Sequence, residues 1–466
     1  MTGKWICMSN PPQSIHGQWS SRWAFVLAAT GSAVGLGNIW KFPYITGENG
    51  GGAFVLVYLG CLALIGLPIL MAEIMLGRRG GKNPINGLLS IAVDEGKSTG
   101  WQYLGWLGVV TGFLILSYYS VFAGQALAYV FRTFAGIFEG VTAEGATSIY
   151  NALVLDPERL LAWHTIFMLV TSVIVARGLQ GGLEKSVKIL MPALLFILVL
   201  LVGYAANTGT YFQEGIDFLF KPDFSKLTNQ GVLTAMGHAF FTLSLGMGAI
   251  MVYGSYLPKD ASILKMSFAI AIADTAVALL AGMAIFPLVF ANGLDTNAGP
   301  GLIFNTLPIA FGHMANGAFY GGLFFLLLVF AAWTSAISLI EPAVAWLIEN
   351  KDVSRRRASA TVGFSVWLLG LLTVFSFNIG QEWTLFGKTL FDLLDYLTAN
   401  ILLPLGGLSI AIFAGWVMSK QATDDEFSIK SRIIYYLWRF LIRYISPIAI
   451  IIIFFNMIGL IDLTPA

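Results

Sequence analysis

Between Trp23 and Ile45 runs an apolar stretch long enough to cross a bilayer, broken at its centre by Gly31-Ser-Ala-Val-Gly-Leu-Gly-Asn38. Each glycine costs about 1 kcal/mol of helix propensity relative to alanine, and in hydrocarbon every freed backbone carbonyl needs a partner other than water. Backbone of this kind at membrane depth lines a cavity or holds an ion; close helix packing through small residues is the other use of such a pattern. A second broken stretch, Thr242-Leu-Ser-Leu-Gly-Met-Gly-Ala249, lies in another apolar run far along the chain. Two interrupted helices in corresponding positions point to a transporter built from inverted repeats.

The composition agrees. With 57% hydrophobic and 11% charged residues and a mean hydropathy of +0.77, a water-soluble fold is excluded. Eleven candidate spans fall near 23–45, 52–77, 103–133, 160–177, 188–207, 232–256, 264–291, 320–348, 359–377, 390–418 and 433–461. With a cytoplasmic N-terminus, all 26 Lys and Arg lie on inner segments except Lys41, Arg132, Arg159, Lys221, Lys226 and Lys388. That bias predicts a multi-pass protein of the plasma (inner) membrane, with Ala466 outside. Residues 1–20 are polar and lack the apolar core of a cleavable signal, so they read as a cytoplasmic tail. The cysteines, Cys7 and Cys61, suggest neither a disulfide nor a metal site, and His16, His164, His238 and His313 show no ligand spacing. A net charge of +1 gives no sign of a nucleic-acid partner. Monomer and homodimer both remain open.

Along the chain, Glu48-Asn-Gly-Gly-Gly-Ala53 reads as a tight turn after the first broken helix. Glu73 is ionisable within an apolar span, and is expected to clamp a neighbouring broken backbone by accepting its hydrogen bonds. Of the pair Tyr118-Tyr119, one hydroxyl is expected to face a polar cavity. The acidic segment between the third and fourth spans, with Glu139, Glu144, Asp156 and Glu158, reads as a solvated outer loop. Asp274, Thr334-Ser335, Glu341, Asp392 and Asp395 are the other polar groups within or bordering spans. Such separated intramembrane groups suit an ion-and-solute pathway.

The segments GSAVGLGNIWKFP (Gly31 to Pro43) and ENGGGAF, the Tyr118-Tyr119 pair, Phe240-Phe-Thr-Leu-Ser-Leu-Gly246 and Thr334-Ser335 together resemble the neurotransmitter:sodium symporter family. The resemblance covers nearly the whole chain. It implies the leucine-transporter-type fold: an all-α membrane protein whose helices 1–5 and 6–10 form two five-helix inverted repeats, with helices 1 and 6 unwound at mid-membrane. On that reading the chain divides into an N-terminal tail (1–22), a first repeat (23–207), an outer loop (208–229), a second repeat (230–418), and an eleventh helix with the C-terminus (419–466). Many members carry a twelfth helix, and this sequence shows eleven.

The resemblance also implies roles, residue by residue. One sodium would be held by the Ala33 carbonyl, Asn38, Thr242 and Asp274. A second would be held by the carbonyls of Gly31, Val34 and Ala331 with the hydroxyls of Thr334 and Ser335. An amino-acid carboxylate would meet the half-helix that starts near Leu36 and Gly37, with Tyr119 donating to it. Phe241 would close over the ligand, and the carbonyls of Ala33, Phe241 and Thr242, with Ser244, would receive its ammonium. The free N–H groups and dipole of a half-helix favour an anion on physical grounds as well. Amine-transporting members have an aspartate where Gly35 stands, so this chain is expected to require a carboxylate. Ile115, Phe241, Met247, Ser335, Ala336 and Leu339 would form an apolar side-chain pocket, which suits a neutral L-amino acid; another small zwitterion is the alternative. Chloride-dependent animal members have asparagine at the position of Asp274 and serine at that of Ala278, so transport is expected to need no chloride.

Matching gates are Lys41 with Asp395 on the outer side, and Trp19, Arg22, Tyr256 and Glu349 on the inner side. Two positions depart from the family: Lys41 stands where arginine is common, giving a point charge instead of a fork, and His16 occupies another arginine position, opposite Glu349. A channel would show a filter or a ring repeated by oligomerisation. An enzyme would need a cluster of acid, base or metal groups, and Glu73, Asp274 and Glu341 lie on different spans without a histidine or cysteine partner.

Overall fold

Glycine and proline divide the chain into helical rods whose lengths follow the apolar runs. The computed structural model describes residues 17–294, 301–427 and 431–460; His16 lies outside them. Nine helices among these are long and apolar enough to cross a membrane: α3 (Gly52–Gly80), α4 (Thr99–Phe134), α5 (Pro157–Ala176), α6 (Leu179–Thr208), α9 (Ile263–Ala291), α10 (Gly317–Lys351), α11 (Arg355–Ser376), α12 (Leu390–Val417) and α13 (Arg432–Met457). A tenth span is the bent pair α1 (Arg22–Ala33) and α2 (Gly37–Glu48), which turns by 53° at its break. The candidate span 232–256 is interrupted over Thr242–Gly248, between α7 (Asn229–Phe241) and α8 (Ala249–Ser255).

Each break has a local cause. α1 ends where Val34 leaves the helical region at ψ 98°, within the glycine-rich run. After α7 the backbone turns left-handed at Ser244, Gly246 and Gly248. Glycine adopts that conformation freely, and a serine needs support for it. The support is direct: Ser244 Oγ donates to the Ser32 carbonyl at 2.8 Å. The Gly246 N–H, having left the helix ladder, donates to Glu73 Oε1 at 2.6 Å, so the buried carboxylate clamps the broken backbone as expected.

α10 packs most extensively on α4, and these two long helices form the wall against which both broken spans lie. The connections hold more structure than the sequence announces. The acidic outer segment contains a helix over Ala143–Val154, capped by Thr142, which accepts from Gly145 N. Further short helices cover Pro84–Asp94, Thr210–Phe220 and Lys420–Phe427. An apolar stretch over Leu302–His313, absent from the eleven candidate spans, is helical too.

One ion pair fixes a connection to the bundle. The Arg78 guanidinium, 4% exposed, lies 2.9 Å from Glu426, and donates to the Ala261 carbonyl at 2.6 Å. Removing one partner of a buried pair strands the other and costs about 3–5 kcal/mol. Arg78→Ala is therefore expected to lower thermal stability sharply in detergent, whereas charge removal at the exposed Arg432–Asp424 pair should change it by less than about 1 kcal/mol.

Candidate functional site

At the end of α1 the backbone N–H groups abandon the helical pattern. Gly35 N–H donates to Asn38 Oδ1 at 3.2 Å, Leu36 N–H to Tyr119 Oη at 3.3 Å, and Asn38 N–H to the Gly35 carbonyl. The carbonyls of Gly31, Ser32 and Val34 thereby lose the donors that a continuing helix would supply four residues on. All three turn to Ser335 Oγ on α10, at 3.3, 3.1 and 3.4 Å. A hydroxyl has one proton, so it satisfies one of these carbonyls at a time. Thr334 Oγ1 lies beside them and donates to the Ala331 carbonyl at 2.9 Å. A Cβ at Gly31 would sit 3.1 Å from Thr334 Cβ, which shows how closely α1 approaches α10. The five residues expected to hold a second sodium are together, and they present oxygen atoms only.

The first expected ion site also assembles. Asp274, fully buried on α9, accepts from Asn38 Nδ2 at 2.7 Å and from Thr242 Oγ1 at 2.9 Å. Asn38 and Thr242 approach each other at 3.3 Å, and Ala33 is buried at the adjoining end of α1. The donor set fits a hard cation in kind, with carboxylate, hydroxyl and amide oxygens. Its amide nitrogen faces the carboxylate, so coordination by the Asn38 oxygen requires the amide to turn over.

Ile115, Met247 and Leu339 are buried, and a Cβ at Gly112 would meet the Met247 and Leu339 carbonyls at 3.1 and 3.4 Å. At Gly35 a Cβ would stand 2.7 Å from Ser335 Oγ and 3.1 Å from Tyr119 Oη. Gly37 faces the Phe241 ring, 3.6 Å from where its Cβ would be. Both tyrosine hydroxyls are engaged, Tyr119 by Leu36 and Tyr118 by Thr398 Oγ1 at 3.1 Å, where a single polar role was expected. Ser244, expected at a ligand ammonium, spends its proton on the Ser32 carbonyl. Ser32 itself was not foreseen: its hydroxyl donates to Ser338 Oγ at 2.7 Å and its carbonyl serves two serines.

The gate residues are only partly as expected. The Lys41 ammonium sits 4.7 Å above the Phe241 ring, and among the described residues no ion pair joins it to Asp395. On the opposite face, Trp19 Nε1 donates to the Tyr253 carbonyl at 3.0 Å, and Tyr256 donates to Glu341 Oε1 at 2.8 Å. Among the described residues no hydrogen bond or ion pair joins Arg22 to Glu349. Arg22 pairs with Asp260, and its guanidinium holds that carboxyl below the usual range. Glu349 instead receives the N–H of Asn83 at 2.8 Å and Asn86 Nδ2 at 3.1 Å, gathering the turn after α3. Glu341 is held by Arg355 at 2.5 Å, and Ser20 bonds Glu184 through both backbone and side chain; neither pairing had a local sequence signal.

The chain matches the sodium:neurotransmitter symporter family over residues 16–141 and 155–465. It is 39% identical to the uncharacterized sodium-dependent transporter YhdH of Bacillus subtilis (strain 168), covering 96% of this chain and 98% of that one. An uncharacterized sodium-dependent transporter of Haemophilus influenzae is 35% identical, with 94% and 97% covered. The sodium- and chloride-dependent GABA transporter ine of Drosophila melanogaster is 24% identical over 84% of this chain and 45% of its own length. The crystal structure of MhsT in complex with L-phenylalanine superposes with a TM-score of 0.86 at 44% identity, covering 95% of this chain and 99% of that one.

Proposed function

The chain belongs to the sodium:neurotransmitter symporter family, and from that premise we propose that it imports a neutral, apolar L-amino acid together with sodium, without chloride. The protein is a multi-pass membrane transporter whose relatives are sodium-dependent. The proposal adds the substrate, two ion sites, and an orientation with Trp19 and Arg355 on the cytoplasmic side, which follows from the lysine and arginine bias.

One observation carries the substrate reading. A Cβ at Gly35 would crowd Ser335 Oγ at 2.7 Å and Tyr119 Oη at 3.1 Å, and with glycine there the break after α1 carries no acid to receive a ligand that is only an ammonium. The same place offers the Tyr119 hydroxyl and the opening N–H groups of α2 to a carboxylate. Apolar Ile115, Met247 and Leu339 suit an apolar side chain, and Met247 can repack around different sizes. The relative MhsT, solved with L-phenylalanine, supports an aromatic or large aliphatic ligand.

In proteoliposomes, a sodium gradient should drive uptake of labelled apolar amino acid. The other natural amino acids compete according to side-chain size, and the matching decarboxylated amines do not compete. Competition by the amines at equal concentration overturns the carboxylate reading. Tyr119→Phe removes one donor to a charged acceptor, worth about 1.5–3 kcal/mol, so substrate affinity is expected to fall at least about tenfold; an unchanged dissociation constant places the ligand elsewhere.

A further inference from the structure

On the membrane-facing flank of the bundle, far from the substrate pocket, α5 and α11 run antiparallel and part to leave a groove of about 410 Å3. On α5 it extends from Thr165 to Ala176, and on α11 from Arg356 to Trp367. At 1.5 Å per residue each wall is about 16 Å long, which equals one leaflet of a hydrocarbon core about 30 Å thick. The groove therefore runs from the headgroup level at Arg356 to the bilayer midplane at Trp367.

Its walls offer a water-soluble ligand little that is polar beyond the Ser172 hydroxyl beside Gly363. Thr165 Oγ1 donates to the Leu161 carbonyl at 2.8 Å and accepts from Trp367 Nε1 at 2.9 Å, and the Ser172 carbonyl accepts from Ser359 at 2.7 Å. Gly363 and Ala360 keep the floor open; a Cβ at Gly363 would lie 2.1 Å from Ser172 Oγ. Leu169, Val173 and Phe364 line the rim and are more than half exposed, as apolar side chains facing lipid are.

The mouth is charged. Arg355 is committed to Glu341 and to the Val175 carbonyl. Arg356, Arg357 and Arg177 are exposed and have no hydrogen bond or ion pair among the described residues. Asp352 is the acidic residue in the preceding turn, and it forms no ion pair with them there. Of the three arginines, Arg356 is the one that lines the groove. A planar guanidinium suits a phosphate bidentately.

We propose that this groove is a binding site for an anionic phospholipid of the leaflet on the Arg356 side. One acyl chain lies between α5 and α11, and Arg356 holds the phosphate. A single basic residue at a lipid surface contributes about 1 kcal/mol, which sets the expected preference for an anionic headgroup at about fivefold.

The full-length protein, purified in detergent, is titrated with phosphatidylglycerol and phosphatidylcholine of matched acyl chains, and bound lipid is counted by native mass spectrometry. The wild type should retain one phosphatidylglycerol about fivefold more tightly than phosphatidylcholine, and millimolar inorganic phosphate should not displace it. Arg356→Gln should erase the preference, Arg356→Lys should keep most of it, and Arg357→Gln should leave it unchanged. Ala360→Phe fills the groove without touching the mouth, so occupancy by both lipids should drop by one, which tests the site even if Arg356→Gln fails to fold. Full preference in Arg356→Gln, or full occupancy in Ala360→Phe, overturns the proposal. Displacement by inorganic phosphate assigns Arg356 to a soluble anion and overturns it as well, as does a loss of dimer in Ala360→Phe with lipid counts unchanged, which gives the face to a second copy.

Discussion

Thr334→Val combined with Ser335→Ala should abolish sodium-stimulated transport while leaving a folded, membrane-inserted protein. Three carbonyls from the end of α1 converge on the Ser335 hydroxyl; Ser244 serves that of Ser32, which leaves Gly31 and Val34 competing for one proton. A buried carbonyl without a partner costs about 1–3 kcal/mol, and a sodium ion among the same oxygens meets that need in a way that a methyl group cannot. Valine keeps the shape of Thr334 and loses its oxygen; alanine does the same at Ser335. Sodium dependence of substrate binding is the measurement, by scintillation proximity with labelled amino acid at varied sodium. A wild-type sodium curve in the double variant would remove the second ion from this place. A folded variant that binds neither substrate nor sodium fits the assignment, because the proposed ion would join the end of α1 to α10.

The sequence announces both breaks: glycines at 31, 35, 37, 246 and 248 recur in two apolar runs in corresponding positions, which favours broken backbone over the close helix packing that small residues also serve. What gathers around them is legible only through the family resemblance. Gly31, Val34, Ala331, Thr334 and Ser335 converge in space, as do Asn38, Thr242 and Asp274. Glu73 was legible because a carboxylate in an apolar span must find donors, and broken backbone nearby supplies them. What was not legible are pairings set by tertiary approach. Arg22 meets Asp260 and Ser20 meets Glu184 across long separations, and no local pattern distinguishes Asp260 from Glu349 as the partner of Arg22. The role of the Ser32 carbonyl has no side-chain signal, because a main-chain oxygen at a helix break is available whatever residue carries it. The outer segment that its acidic residues mark as solvated loop holds a helix over Ala143–Val154, because Thr142 caps it and Ala146, Leu153 and Val154 are buried.

Asp274→Asn is expected to weaken sodium binding by at least about a hundredfold and to open a dependence on chloride. Two cations about 4 Å apart repel by about 4 kcal/mol at an effective dielectric of 20, and a carboxylate beside them offsets a term of that size. Asp274 is fully buried, with one oxygen on Asn38 and the other on Thr242, so its charge would bear directly on a cation held in the proposed first site. Asparagine keeps the shape and removes the charge. The chain's 24%-identical relative ine is a sodium- and chloride-dependent transporter, and chloride-dependent members resemble this chain with asparagine at 274 and serine at 278. Ala278 is buried one helical turn beyond Asp274, so Ala278→Ser places a hydroxyl where an anion could be held. The double variant Asp274→Asn with Ala278→Ser should recover part of the lost sodium affinity in chloride and none in gluconate. The wild type should transport equally in both salts. Loss of wild-type uptake in gluconate overturns chloride independence, and wild-type sodium affinity in Asp274→Asn reduces the carboxylate to a partner of Asn38 and Thr242 with no part in holding the ion.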